Sequence, residues 1–566
     1  MKKTFLLSCL MLAAMPVMAA YTGHVYVDKN KNGVFDQSEK PLAGIKVSDG
    51  LNVGETAADG SFTLPGHERE RFIFITTPSG YKTFNRHYHK IEEKQSGYDF
   101  GLMPYSGRIR KDGSHKYIHI ADTEIFNTEN HADWVNNVRD YARNEQAAFI
   151  IHTGDICYEK GLKAHIKLMN TENMDCPVFY CIGNHDLVKG KYGEELFESI
   201  YGPVYYSFDA GNVHYVVTPM PGGDHAPGYT SDDVCRWLKN DLAHIRPGTP
   251  VVVFNHDLLT YEDTFIFKSK NAGSINLNEY NLKAWVYGHW HINYMKKQGD
   301  VYSVCTSSLD KGGIDHSTTA FRVMHVDSKG DFTSELRYTY LDKNICIASP
   351  AGVMASGVLP VAVNVYSSVS PVREVLYTCL ADGKPVLKNK RLLQSTDWSW
   401  NGELPLSHKY VGKELTLRVT ARFNNGEIAE AESNFICRTE KAVPLFSADW
   451  DNLSGNAKHS APVSAPLNLP LQLAWTNNVG ANLYMTSPLI HKGKVIVASV
   501  DEDLKGAGHV YALNGKDGTI LWSCPVRNSI KNSIAVDSDI VFAQDAQGFL
   551  LSLIHISEPT RPRLIS

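Results

Sequence analysis

The sequence predicts a multidomain chain in which an α/β unit stands between all-β units. Between residues 115 and 340, apolar strand runs such as "KYIHIAD", "AAFIIHTGD", "CPVFYCIGNHD", "PVVVFNHD" and "KAWVYGHW" are separated by helix-like stretches such as "ADWVNNVRDYARNE". On either side the strand signals stand without helices. "GHVYVD", "ETAADGSFTLP" and "RFIFITTP" make 21–105 a small β-domain, and "LPVAVNVYSS", "REVLYTCLADG" and "ELTLRVTARF" make 345–440 a β-sandwich of immunoglobulin-like size. At 566 residues the chain is too long for a single core, which agrees with this division.

The first twenty residues, "MKKTFLLSCLMLAAMPVMAA", have a short basic head, an apolar middle and small residues at the end. This is the pattern of a secretory signal peptide over 1–20, and it predicts export to the periplasm or surface of a bacterium. No later run of about 20 apolar residues predicts a transmembrane segment once the leader is removed. A net charge of −5 gives no basic footprint for nucleic-acid binding. Without Cys9, nine cysteines remain and none forms a CxxC pair, which excludes a zinc ribbon or a dense disulfide framework. Cys176 and Cys181 read equally as a disulfide pair or as buried thiols. Oligomeric state is left open.

A weak repeat follows over 445–553. Trp475 and Trp522 stand 47 residues apart, each followed by a short strand run, a spacing that suits propeller blades. "GHVYALNGKDGTILW" resembles a blade of the quinoprotein-type β-propeller family, so an incomplete propeller is expected. "LSLIHISEPTR" resembles a translated sequencing adapter, so 554–566 is expected to be an artefact and the native product to be longer.

The chemistry concentrates at the predicted carboxyl ends of five strands, where ligands sit in open α/β sheets. In chain order these ends carry Asp122 and Glu124, then Asp155, then Asn184, His185 and Asp186, then His256, then His289 and His291. Carboxylate, carboxamide and imidazole groups gathered from several strands suit two divalent or mixed-valence ions of Mn, Zn or Fe, held about 3.5–4 Å apart.

The order of these residues resembles the calcineurin-like metallophosphoesterase family, whose pattern runs D-x-H, G-D, G-N-H-[DE], H, G-H-x-H. The resemblance implies a four-layer αββα core flanked by β-sandwich domains. It implies that Asp155 bridges both metals, with Asp122 and His291 on the first and Asn184, His256 and His289 on the second. His185 is then the general acid or phosphate-contacting residue, with Asp186 orienting its ring, and a metal-bound hydroxide attacks phosphorus in line. Glu124 departs from the pattern by standing where the family has histidine; it is either a harder ligand of the first metal or a solvated or salt-bridged carboxylate. The expected function is an exported phosphoesterase acting on a small-molecule or cell-surface phosphomonoester or phosphodiester. The alternative is a surface glycan- or protein-binding module with a degenerate site. No G-x-S-x-G elbow or phosphate-binding G-K-[ST] competes.

Two loops complete the reading. "DKNKNGVFDQSE", residues 28–39, has calcium-loop spacing: Asp28, Asn30, Asn32, Gly33 for the turn, Val34 through its carbonyl, Asp36, and Glu39 as the bidentate ligand. Its strand-like flanks resemble the calcium loop of B-type repeats in bacterial surface proteins, which implies a structural ion rather than a switch; an ion-free Asn/Asp-rich turn is the other reading. The Gly/Pro-rich stretch 221–235 is expected to cap the metal site.

Overall fold

A computed structural model describes residues 20–554 and 562–564, apart from 96, 440–448, 461–470, 472, 485, 504–505 and 533. The predicted leader falls outside the described residues except for Ala20, as does most of 554–566.

Two sheets build the central α/β unit. The first runs in the order Val178–Tyr180, Phe149–His152, His115–Ile120, Ala320–Val326, Phe332–Tyr338. The second runs Tyr206–Ala210, Val213–Val217, Val251–Phe254, Leu282–Tyr287, Val301–Cys305, Tyr294–Gln298. In the first, His115–Ile120, Phe149–His152 and Val178–Tyr180 are parallel, and their register aligns Ile120 with His152 and His152 with Tyr180. In the second, Val251–Phe254 and Leu282–Tyr287 are parallel and pair Phe254 with Val286. Five strands therefore end level within two neighbouring groups. They are the five that precede the candidate ligands.

Alternation along the strands decides what each sheet face covers. Tyr117, Phe149 and Ile151 point into a core shared with Val216, Val252 and Phe254 of the other sheet. Ile118, Ile120 and Ile150 point the opposite way, onto Trp134, Val138 and Tyr141 of helix α1 (Ala132–Asn144). Helices α2 (Tyr158–Leu168), α3 (Glu195–Tyr201) and α4 (Ser231–Ala243) follow in the crossovers. Thr230 caps α4 by accepting from Asp233 N, while the Asp233 carboxylate accepts from Thr230 N.

Among the described residues, the flanking regions are built from strands, with single 3-10 turns at His408–Tyr410 and Leu453–Gly455. Residues 21–104 form two small sheets around Val25, Val47, Ile73, Phe100 and Leu102. Residues 344–438 form a four-stranded and a five-stranded sheet that share one core containing Val361, Val363, Trp400, Leu417 and Val419. Beyond them, Leu489–Val526 and Ala535–Leu564 each form a four-stranded antiparallel sheet with the strands in chain order. Among the described residues, no helix is long and apolar enough to cross a membrane. Cys176 and Cys181 are both free thiols, buried in different apolar clusters, so the disulfide reading of that pair does not hold.

Candidate metal centre

Three of the five strand ends turn sharply to deliver their ligands. Asp122, Glu124, Asp155, His289 and His291 all have left-handed backbone conformations, with φ of 52°, 43°, 56°, 65° and 51°. Such conformations cost about 1–3 kcal/mol each at non-glycine residues and persist where surrounding structure enforces them. The enforcing contacts are visible: Asp122 N donates to Gly154 O, Glu124 N to Asp155 O, and Gly288 N to His256 O.

The motif glycines are required by close approach. A Cβ on Gly183 would lie 2.2 Å from Asp155 Oδ1, one on Gly154 would lie 2.6 Å from His256 Nδ1, and one on Gly288 would lie 2.8 Å from Asp122 Oδ2. The glycines of G-D, G-N-H-D and G-H-W-H thus let three strand ends converge on one point.

Two donor sets result, with ligand atoms in each lying within 4.8 Å of one another: Asp155, His256 and His289, and Asp122, Asp155 and His291. Asp155 belongs to both. Asn184 Oδ1 is buried without a hydrogen-bond partner, and His256 Nε2, 3.1 Å from Asp155 Oδ2, also makes no hydrogen bond. Buried polar atoms left without partners in this way suit a cation, once the His256 ring gives up its Nε2 proton. His256 Nδ1–H donates to Thr153 O at 2.6 Å, which fixes the ring and leaves Nε2 for a ligand.

The electrostatics agree. Burial pushes the Asp122 carboxyl well above its usual range, against the pull of His256. Burial opposes a charge on His256, but Asp155 outweighs it and holds the ring at about 9. Burial would also raise Asp155, yet the charge on His256 keeps it low. The ring proton balances carboxylate charge that a dication would otherwise balance, so metal binding here is expected to release a proton.

Glu124 lies at the edge of the first set. Its Oε1 is 3.6 Å from His291 Nε2, and its Oε2 accepts from Lys311 Nζ at 3.1 Å. Cys157, a residue the motif reading passed over, places its sulfur with Glu124 and Asp155. Burial drives its thiol far up, so it stays protonated in the metal-free protein.

Asp186 does not orient His185. Its carboxylate accepts from the backbone N–H groups of Gly183, Asp155 and Cys157, and burial pushes it up to about 6. It is occupied with holding two motif turns together. His185 instead places Nδ1 at 2.8 Å from Asp224 Oδ2, while its backbone N donates to Asp155 Oδ1. Asp224 lies in the predicted capping loop, but no motif marked it, and Lys311 was equally unmarked.

In the N-terminal unit, loop 28–39 runs between strands Tyr21–Val27 and Lys40–Pro41, as its flanks predict. Asp28 accepts from the backbone of Lys31 and Gly33, Glu39 from that of Lys29 and Asp36, and Asp36 from the side chains of Asn30 and Asn32. Val34 is exposed.

Comparison with known proteins fits this geometry. Residues 115–293 match the family model of calcineurin-like phosphoesterase, and residues 29–105 match that of the N terminal of calcineurin-like phosphoesterase. The region 115–293 belongs to the calcineurin-like phosphoesterase family. Purple acid phosphatase 13 of Arabidopsis thaliana is 26% identical over 215 residues, covering 36% of each chain. The chain thus spans about a third of that relative's length. A predicted phosphoesterase from Streptococcus pneumoniae TIGR4 aligns over 40% of this chain and 98% of its own at 12% identity, with a TM-score of 0.19. CopC of Methylosinus trichosporium OB3b aligns over 18% of this chain and 100% of its own at 13% identity, with a TM-score of 0.14. Scores this low add nothing to the assignment. The phosphoesterase domain supplies every strand end of the candidate centre.

Proposed function

We propose that the chain is a metal-dependent phosphoesterase that hydrolyses a phosphomonoester or phosphodiester by in-line attack of water. The observation that carries this is Asp155, shared by two donor sets built from the ends of separate strands. Asp122, Asp155 and His291 would hold one ion, with Glu124 at its edge, and Asp155, Asn184, His256 and His289 the other. Two divalent ions there would lower the pKa of water and offset charge on the phosphoryl oxygens. The protein's own part is to fix those donors, through the strained turns and the Thr153 and Gly154 contacts, and to bring His185 beside them. His185 supplies the proton that the leaving oxygen needs. Turnover of p-nitrophenyl phosphate and bis(p-nitrophenyl) phosphate with added Mn, Zn or Fe tests this. Rates no higher than those of Asp155→Ala would overturn it.

The same reading includes export through the leader-like start, a four-layer αββα arrangement of the central unit, and propeller blades in the two final meanders. A mature chain starting at Tyr21, found by mass spectrometry after expression in a bacterium, tests export. Loop 28–39 is read as a structural calcium site, because seven of its residues fit the required spacing and three carboxylates already turn inward. A rise in melting temperature with calcium, absent in Asp28→Ala, tests that. One observation favours the second reading, a binding module with a decayed site: Lys311 places a positive charge on Glu124 where a metal ligand is expected.

A further inference from the structure

We propose that Asp224 is the positioning residue of His185, presented by a closed loop that is seated on the backbone of the Asn184 turn. This rests on the phosphoesterase reading.

The loop closes at its base, where Tyr229 OH donates to Met220 O at 2.6 Å. Its tip lies on the ligand turn. Asp224 N donates to Asn184 O at 3.1 Å, and a Cβ on Gly223 would lie 2.4 Å from that oxygen, so only glycine permits the approach. Gly193 N donates to Ala226 O at 2.8 Å. Gly228 N donates to both carboxylate oxygens of Glu194, at 3.0 and 2.9 Å. Glu194 is fully buried and is held by Arg71 of the N-terminal unit at 2.7 Å. Arg69 of the same unit donates to Gly228 O at 2.7 Å. Both partners of the His185–Asp224 pair remain about a third exposed, at 34% and 37%. An ion pair so placed contributes little to stability. So much anchoring around so weak a pair is explained by the orientation it imposes.

With Nδ1–H committed to Asp224, Nε2 is the nitrogen that delivers a proton. In the reaction the water oxygen forms the new bond to phosphorus and the bond to the leaving oxygen breaks. That oxygen keeps the electron pair and takes the Nε2 proton to leave as an alcohol. The transfer turns the imidazolium into neutral imidazole, and the proton lost by water restores the imidazolium. Asp224 holds the tautomer and ring angle that this transfer requires.

Phenyl phosphate and p-nitrophenyl phosphate, assayed on the full chain with Mn, separate this role from a structural one. Phenolate is a poor leaving group that needs the proton, whereas p-nitrophenolate hardly does. Asp224→Asn should lower kcat on phenyl phosphate by about 10- to 100-fold and on p-nitrophenyl phosphate by less than about threefold. KM and metal content should be unchanged, and Asp224→Glu should recover part of the loss. If parental kcat is retained on both substrates, or the loss is equal on both and accompanied by loss of metal, the inference is overturned while the phosphoesterase reading survives. A parent no faster than Asp155→Ala on either substrate overturns both.

Discussion

Lys311 Nζ donates to Glu124 twice, to its backbone carbonyl at 3.0 Å and to its Oε2 at 3.1 Å. A fixed cation therefore faces the carboxylate nearest the first donor set, where it competes with a metal for the same charge. At an effective dielectric near 20, a unit charge a few ångströms away opposes a cation by roughly 3 kcal/mol. Replacing Lys311 with Met should tighten the more weakly bound ion by about tenfold or more. Glu124→His should also raise metal content, because imidazole does not pair with Lys311. Metal per chain after dialysis, measured by mass spectrometry against the parent, checks both. Unchanged content in both variants would place Glu124 outside the coordination sphere.

Gly183 offers a sharper steric test. Its missing Cβ leaves room for Asp155 Oδ1, and its N–H donates to Asp186. Gly183→Ala must push Asp155 away from the point that both donor sets share. The expected result is loss of about 1–3 kcal/mol of stability by overpacking with loss of both ions together. A melting curve and a metal assay on one preparation check this. Loss of one ion alone would show that Asp155 does not bridge.

These tests separate what the sequence made legible from what it did not. Strand ends could be read because an apolar run followed by an isolated polar residue is a local pattern, and Asp122, Asp155, Asn184, His256 and His289 each stand directly after such a run. The flanking β-units were legible for the same reason, through alternation and turn residues. Asp224 was not, because its partner lies 39 positions away and joins it through a loop of irregular backbone. Lys311 lies 187 positions from Glu124, and no periodicity links them. Asp186 shows the opposite failure. Adjacency to His185 suggested a partnership, but the single turn at Asn184–Asp186 aims the two side chains at different groups.

His214 sets a pH window for stability at the boundary between two units. Its ring lies between Asp209 and Asp241, at 2.7 and 2.8 Å, with Lys46 of the N-terminal unit 3.4 Å from Nδ1. Burial and Lys46 oppose a charge on the ring, but Asp241 and Asp209 outweigh them and raise its pKa. Burial also opposes ionisation of Asp241, yet His214 holds that carboxyl low. The raised histidine contributes stability that is complete below about pH 6.5 and lost as pH rises through its folded value. The lowered aspartate contributes stability that is complete above about pH 4 and lost as pH falls through its folded value. The parent's advantage over His214→Asn/Asp241→Asn should therefore be greatest between about pH 4 and 6.5. It should decline on both sides, as urea unfolding across that range would show. An advantage independent of pH would mean that packing, not charge, supplies it.

Arg71 lets the link between the N-terminal unit and the site be tested from outside the site. It bonds Glu194 at 2.7 Å and Glu198 at 2.8 Å, and Tyr192, whose ring it covers, donates to Glu198 at 3.1 Å. Burial already pushes Glu198 up to about 7 despite the guanidinium. Arg71→Met leaves two buried carboxylates without their cation, which should cost on the order of 3 kcal/mol. Because the folded pKa of Glu198 lies above its unfolded value, the folded state takes up a proton as pH falls from about 7 toward 4.5, and stability rises with it. Without the guanidinium the folded pKa of Glu198 rises further, so the deficit of the variant should be largest well above pH 7 and should shrink as pH falls toward 7, below which both proteins carry the proton. Glu198→Gln in the same background should recover part of the loss at high pH, since it removes one of the two stranded charges. Glu194 should still be uncompensated, and the Gly228 end of the Asp224 loop should loosen. If the loop transmits that loss, hydrogen exchange at residues 221–228 will quicken in the double variant while exchange in Phe149–His152 stays as in the parent.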